Sequence, residues 1–133
     1  MTKGLNVGTL AGFVDRELTD FFVDRNVVIS GLRALWHESE ILPQIGLSEM
    51  RDVGCFYHGT ELWVSRGAAG IMVDGDLNHG FEAVTWYRSL VPDHLVVTVS
   101  DPAYTYSAEV PPGTTADGLR TLVANSGGAT VDF

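Results

Sequence analysis

Leu10, Phe13, Val14, Leu18, Phe21 and Phe22 recur at three- and four-residue spacings, and Asp15, Arg16, Glu17, Asp20 and Asp24 fill the positions between them. That periodicity lines the apolar side chains along one stripe, so it predicts a helix over 9–24 with Gly8 or Thr9 as its cap. Asn26-Val27-Val28-Ile29 is short, apolar and β-branched, which suits a buried strand or an extended connection. Leu32, Leu35 and Trp36 fit helical spacing, whereas Leu32, Ala34 and Trp36 fit alternation equally well. Both readings of this stretch stay open. Pro43 and Gly46 punctuate a loop ahead of a short amphipathic turn carrying Leu47, Met50 and Val53.

From Gly54 onward the texture is that of strands and turns. Cys55-Phe56-Tyr57 and Leu62-Trp63-Val64 flank His58-Gly59-Thr60-Glu61, the pattern of a hairpin around a glycine-containing loop. Gly67-Ala68-Ala69-Gly70 supplies a second reversal before Ile71-Met72-Val73, and a break covers Asp74 to Gly80. Phe81 to Tyr87, Leu95 to Val99 and Tyr104 to Val110 follow as further short strands. None of the connections reads as a crossover long enough for parallel pairing, so the strands predict an antiparallel meander. Pro111-Pro112-Gly113 ends the last of them, Thr114 and Asp117 resemble a capping box, and Leu119, Leu122 and Val123 form the stripe of a helix over 114–125. Gly127 and Gly128 stop that helix, and Ala129 to Phe133 alternate as a final strand. The expected architecture is a single α+β domain over 1–133. It holds one antiparallel sheet of about five or six strands, with N-terminal and C-terminal helices packed on one face.

Composition agrees with a folded chain: of 133 residues 45% are hydrophobic and 19% charged, with a mean hydropathy of +0.12. Charge narrows the choice of partner. The net charge is −9 and the isoelectric point is near 4.6, whereas nucleic acid and anionic membranes require a basic face for counterion release. Neither is expected as a partner; a basic protein is. The imbalance is uneven, with six Lys/Arg against nine Asp/Glu in 1–66 and two, Arg88 and Arg120, against eight in 67–133. A lone cysteine, Cys55, allows no intrachain disulfide, and the N-terminus lacks the pattern of a signal peptide. A cytoplasmic location is the expectation.

Candidate chemistry fails its own spacing tests. Cys55 and His58 stand at Cys-x-x-His spacing, but no second pair completes the four ligands of a zinc site. His37-Glu38 lacks the second histidine of a metalloprotease helix, because position 41 is Ile41. There is no Gly-x-Ser-x-Gly elbow, and the glycines at 67, 70, 75 and 80 match no phosphate loop. Asp74-Gly75-Asp76-Leu77-Asn78 resembles a calcium loop only superficially, since its glycine is misplaced and the twelfth position is Thr85. His79 and His94 read as exposed loop residues. No catalytic residue, metal or cofactor is therefore expected. Trp63, Trp86, Tyr87, Tyr104 and Tyr106 are either core or, on an open sheet face, binding anchors.

The order of features from Thr60 to Phe133 resembles the small immunity proteins of bacterial polymorphic-toxin systems, especially those found beside deaminase toxins. The matching pieces are Leu62-Trp63-Val64, Ile71-Met72-Val73, Leu95 to Val99, Ala108-Glu109-Val110-Pro111, Leu119 to Ala124 and Gly127 to Phe133. The family's Gly-Arg-Pro-like turn and final-strand tryptophan are replaced here by Gly127-Gly128 and Phe133. The resemblance implies stoichiometric occlusion of a toxin's active cleft. A basic cleft that handles nucleic acid would attract an acidic protein at rates that fall with salt. Asp74, Asp76, Glu82, Asp101 and Glu109, with Trp86 and Tyr104 as anchors, are the candidate contact residues. Strand alternation forbids all of them from facing the same way. Two alternatives stay open. One is a small-ligand domain or enzyme with a pocket converging on His58, His79 or Tyr104. The other is a subunit using a sheet face or edge as a homodimer interface.

Overall fold

The computed structural model describes residues 7–14, 22–43, 51–101 and 107–125. In chain order these form β1 (Val7–Val14), α1 (Arg25–Leu35), β2 (Glu40–Pro43), β3 (Val53–Tyr57), β4 (Thr60–Val64), β5 (Gly70–Asp76), α2 (Leu77–Leu90), β6 (Val97–Ser100), β7 (Ser107–Val110) and α3 (Ala116–Asn125), with a single 3₁₀ turn over Arg66–Ala68. The seven strands make one sheet in the order β2-β3-β4-β5-β1-β6-β7. Every pairing is antiparallel. This is the expected α+β architecture with a single antiparallel sheet, built from more strands than the five or six anticipated.

The first segment departs from expectation. Val7–Val14 is a strand, not the start of a helix, and it lies between β5 and β6. Leu10, Gly12 and Val14 alternate inward and are buried, whereas Ala11 and Phe13 are half-buried on the other face. β5 pairs with it along 7–13 and β6 along 11–14, and this pairing outweighs a local spacing that a helix would also have fitted. Of the remainder of the expected stripe, Leu18 and Phe21 lie outside the described residues, and Phe22 is exposed ahead of α1.

Helix formation moves to two places where strands or breaks were expected. Over Arg25–Leu35, Val28 and Leu32 are buried and Trp36 follows at the C-cap, a 28/32/36 stripe one helical turn apart. Asp24 caps the start by accepting from the Asn26 N–H at 2.8 Å. The β-branched run Val27-Val28-Ile29 is thus overridden, and the open choice for residues 32–36 resolves as helix. Asp76 caps α2 in the same way, accepting from the Asn78 N–H at 2.8 Å. Leu77, Phe81, Val84 and Tyr87 then form the buried stripe of a helix that replaces the expected break over 74–80 and strand over 81–87.

Because β1 separates β5 from β6 and is antiparallel to both, β5 and β6 run parallel to each other. Helix α2 with its following loop is the crossover between them, so the chain does contain the long connection that sequence reading denied it. The C-terminal helix stands as Ala116–Asn125, close to the expected 114–125. Tyr104 and Tyr106, and the expected last strand over 129–133, fall outside the described residues.

The helices pack on one side of the sheet, α1 against β2 and β3, α2 against β1 and β5, and α3 against β7 and α2. Leu10, Leu62, Val64, Ile71, Val73, Val97, Val99 and Val110 point into this layer and meet Val28, Leu32, Phe81, Val84, Tyr87, Leu119 and Val123. Each such side chain contributes roughly 1.5–3 kcal/mol by leaving water. The Tyr87 hydroxyl donates to the Ala68 carbonyl at 2.7 Å, tying α2 to the 3₁₀ turn. The expectation that helices cover one face is met, with α2 as a third helix between the other two. No described helix is long and apolar enough to cross a membrane.

Candidate partner-binding face

The strand register arranges the opposite sheet face in rows. His58 and Gly59, with φ of 46° and 81°, form the two-residue turn between β3 and β4, a conformation in which both residues need positive φ. The resulting register sets Phe56 opposite Glu61. Glu40 lies opposite Phe56 from β2, Glu61 faces Asp74 on β5, and Asp74 faces Thr9 on β1. One row therefore reads Glu40, Phe56, Glu61, Asp74, Thr9 across five strands. The next row places Trp63 between Gly54 and Met72, with Ala11 beyond.

Part of this face is open to solvent. Phe56 on β3 and Met72 on β5, two strands apart, are 38% and 41% exposed, which is unusual for large apolar side chains. Asp74 and Glu40 are exposed and Glu61 and Trp63 half-buried. Toward β6 the face closes, since Ser100 is buried. The indole of Trp63 lies flat over Gly54, where an added Cβ would stand 2.6 Å from the ring. Its Nε1–H donates to Glu61 Oε2 at 3.0 Å, and the Arg51 guanidinium sits over the ring at 5.5 Å. The Thr9 hydroxyl donates to Asp74 Oδ1 at 2.8 Å.

Of the residues expected at the contact surface, the fold brings Asp74 and Glu109 to this face, on β5 and β7. Glu109 also borders a cleft of about 250 Å³ that holds Arg88, His94 and Val110. Arg88 is 2% exposed and its guanidinium donates to the carbonyls of Val91, Pro92 and Leu95. Its Nε is sealed from solvent and has no hydrogen-bond partner, so it presents no donor to the cleft. Asp76 is occupied as the cap of α2. Glu82 and Trp86 lie on α2, in the helix layer behind the sheet. Glu82 Oε1 accepts from Trp36 Nε1 at 3.4 Å, and Trp86 is packed so closely on α1 that a Cβ at Gly31 would stand 2.8 Å from its Nε1. Asp101 is half-buried just after β6, and Tyr104 lies outside the described residues.

Phe56, Met72 and Glu61 did not enter the expected set. The signal was present, since a two-residue turn at His58-Gly59 dictates the facing of every residue in both flanking strands.

The histidines separate into different environments. His94 is exposed, as expected, but His79 is a half-buried residue of α2. Its Nδ1 is 2.8 Å from the Thr60 hydroxyl, whose oxygen also accepts from the Asp76 N–H at 3.2 Å. Trp36 and Tyr57 stack at 4.8 Å with 6° between their planes, and His58 and His79 approach Tyr57 at 4.4 and 5.0 Å. These ring contacts clamp the β3–β4 hairpin between α1 and α2. Cys55 points into the core, away from the exposed His58. Burial pushes its thiol pKa up, partly offset by a hydrogen bond with Ser39. Among the described residues no three His, Cys, Asp or Glu side chains converge as metal ligands.

Comparison with protein-family models, with curated proteins and with solved structures gives no match to this chain.

Proposed function

We propose that this protein is a non-catalytic binding protein that engages a basic protein partner and blocks it stoichiometrically, as an immunity protein blocks its toxin. The observation that supports the reading best is the exposed β3–β4–β5 surface, where Phe56 and Met72 lie among carboxylates on a sheet face opposite the helices. Apolar anchors within a polar rim are the usual composition of a protein-docking patch. The net charge of −9 adds steering toward a cationic surface. Occlusion of a nucleic-acid-processing cleft is the specific form of this function that the immunity-protein resemblance suggests.

The test is affinity capture from the cells that make the protein, followed by reconstitution with the purified captured partner. The expected result is a 1:1 complex that abolishes the partner's activity and whose association rate falls steeply with salt. A partner whose activity persists in the saturated complex, or a chain that only pairs with itself in sedimentation, would refute the proposal.

A further inference from the structure

The exposed sheet face carries an arrangement that the free protein does not resolve. The β4–β5 register places Glu61 directly opposite Asp74, and directly opposed strand residues have their Cβ atoms about 4.5–5.5 Å apart. Like charges on directly opposed strand residues weaken the sheet. Each carboxylate receives a neutral donor, Trp63 Nε1 for Glu61 and the Thr9 hydroxyl for Asp74. These donors orient the two groups without neutralising them, and no described Lys or Arg pairs with either. Arg51 is drawn instead over the face of Trp63. On either side of the pair stand the exposed Phe56 and Met72.

We infer that the β3–β4–β5 face docks an arginine-bearing segment of the protein partner, whose guanidinium bridges Glu61 and Asp74 while apolar parts of the segment, the arginine stem among them, cover Phe56 and Met72. This rests on the protein-binding reading above and adds the chemistry of the contact. Charge complementarity selects a cation, and the apolar flanks select one carried on a long stem. Two oriented carboxylates favour the planar, multi-donor guanidinium over a point-charge ammonium. Repulsion tolerated in the free state is then relieved in the complex.

The experiment titrates an acetylated, amidated Gly-Arg-Gly-Arg-Gly peptide into the ¹⁵N-labelled protein at about 20 mM salt, where exposed charges are weakly screened. Its citrulline counterpart, of the same shape without charge, is the control. Amide shifts are expected on β3, β4 and β5 with the arginine peptide alone. The Glu61→Gln/Asp74→Asn variant is expected to weaken apparent binding at least about fivefold, and an Asp117→Asn variant on α3 to leave it unchanged. Without any peptide, Glu61→Gln is expected to raise the melting temperature by about 2 °C or more at low salt, and less at 0.5 M. Unchanged peptide binding by the double variant, or a melting temperature that falls in Glu61→Gln, overturns the inference. So does a captured partner that seats on this face yet binds the double variant with wild-type affinity, an outcome that leaves the protein-binding reading intact.

Discussion

Cys55 shows how one side chain's surroundings set its chemistry. Its neighbours across the ladder are Ile41 and Leu62, and it is fully buried on the helix side of the sheet. Desolvation raises its pKa in the folded state above the ordinary 9.0, so the unfolded chain loses its thiol proton first. The sign follows: Cys55 adds no pH dependence well below pH 9, and folding stability falls as the pH climbs through the window above it. Cys55→Ala, which removes one core atom at a cost of about 1 kcal/mol, is expected to show a shallower decline in melting temperature above pH 9 than wild type. The same burial predicts that iodoacetamide leaves the native thiol unmodified at neutral pH, as mass spectrometry of the intact protein would show.

At the scale of elements, the hairpin and the strand beside it depend on glycines for different reasons. Gly59 occupies a turn with φ of 81° and open space where a side chain would go. Gly75 combines φ of 141° with a site where a Cβ would stand 2.8 Å from the Thr60 backbone. Gly59→Ala is therefore expected to cost about 1–2 kcal/mol from conformation alone. Gly75→Ala adds a backbone collision and is expected to cost about 2–4 kcal/mol, a difference that urea denaturation would resolve. The helix caps work at this scale too. Asp76 ends β5 and starts α2 within one residue, so one of its carboxylate oxygens serves the fold.

For the whole molecule, the surplus of acids acts as a mutual repulsion that ionic strength moderates in the free protein. Raising monovalent salt from about 10 mM to about 150 mM is expected to increase the melting temperature by a few degrees, about 1 kcal/mol for a domain of this size, followed by calorimetry. The arrangement of layers decides on which face each charge stands. Helices α1, α2 and α3 cover one side of the sheet, so Glu82 and Trp86 lie behind it while Asp74 and Glu109 share the other face.

Several features were legible before any folding was considered. The β3–β4 hairpin follows from the glycine-containing loop between 55–57 and 62–64, although Thr60 and Glu61 belong to β4 and leave only His58-Gly59 as turn; the C-terminal helix follows from its proline-glycine start and 119/122/123 stripe, and the α+β class with one antiparallel sheet from turn spacing. These depend on contacts among near neighbours in the chain, or on no contacts at all. The identity of Val7–Val14 does not, because its stripe fits a helix and its alternation fits a strand. Only the ladders supplied by β5, some 60 residues on, and by β6, further still, decide between them. The same distance hid α2, whose stripe of Leu77, Phe81, Val84 and Tyr87 is buried by packing on β1 and β5. It also hid the Glu61–Asp74 pair, since opposition across a sheet is a property of register, and register exists only once the strands have met.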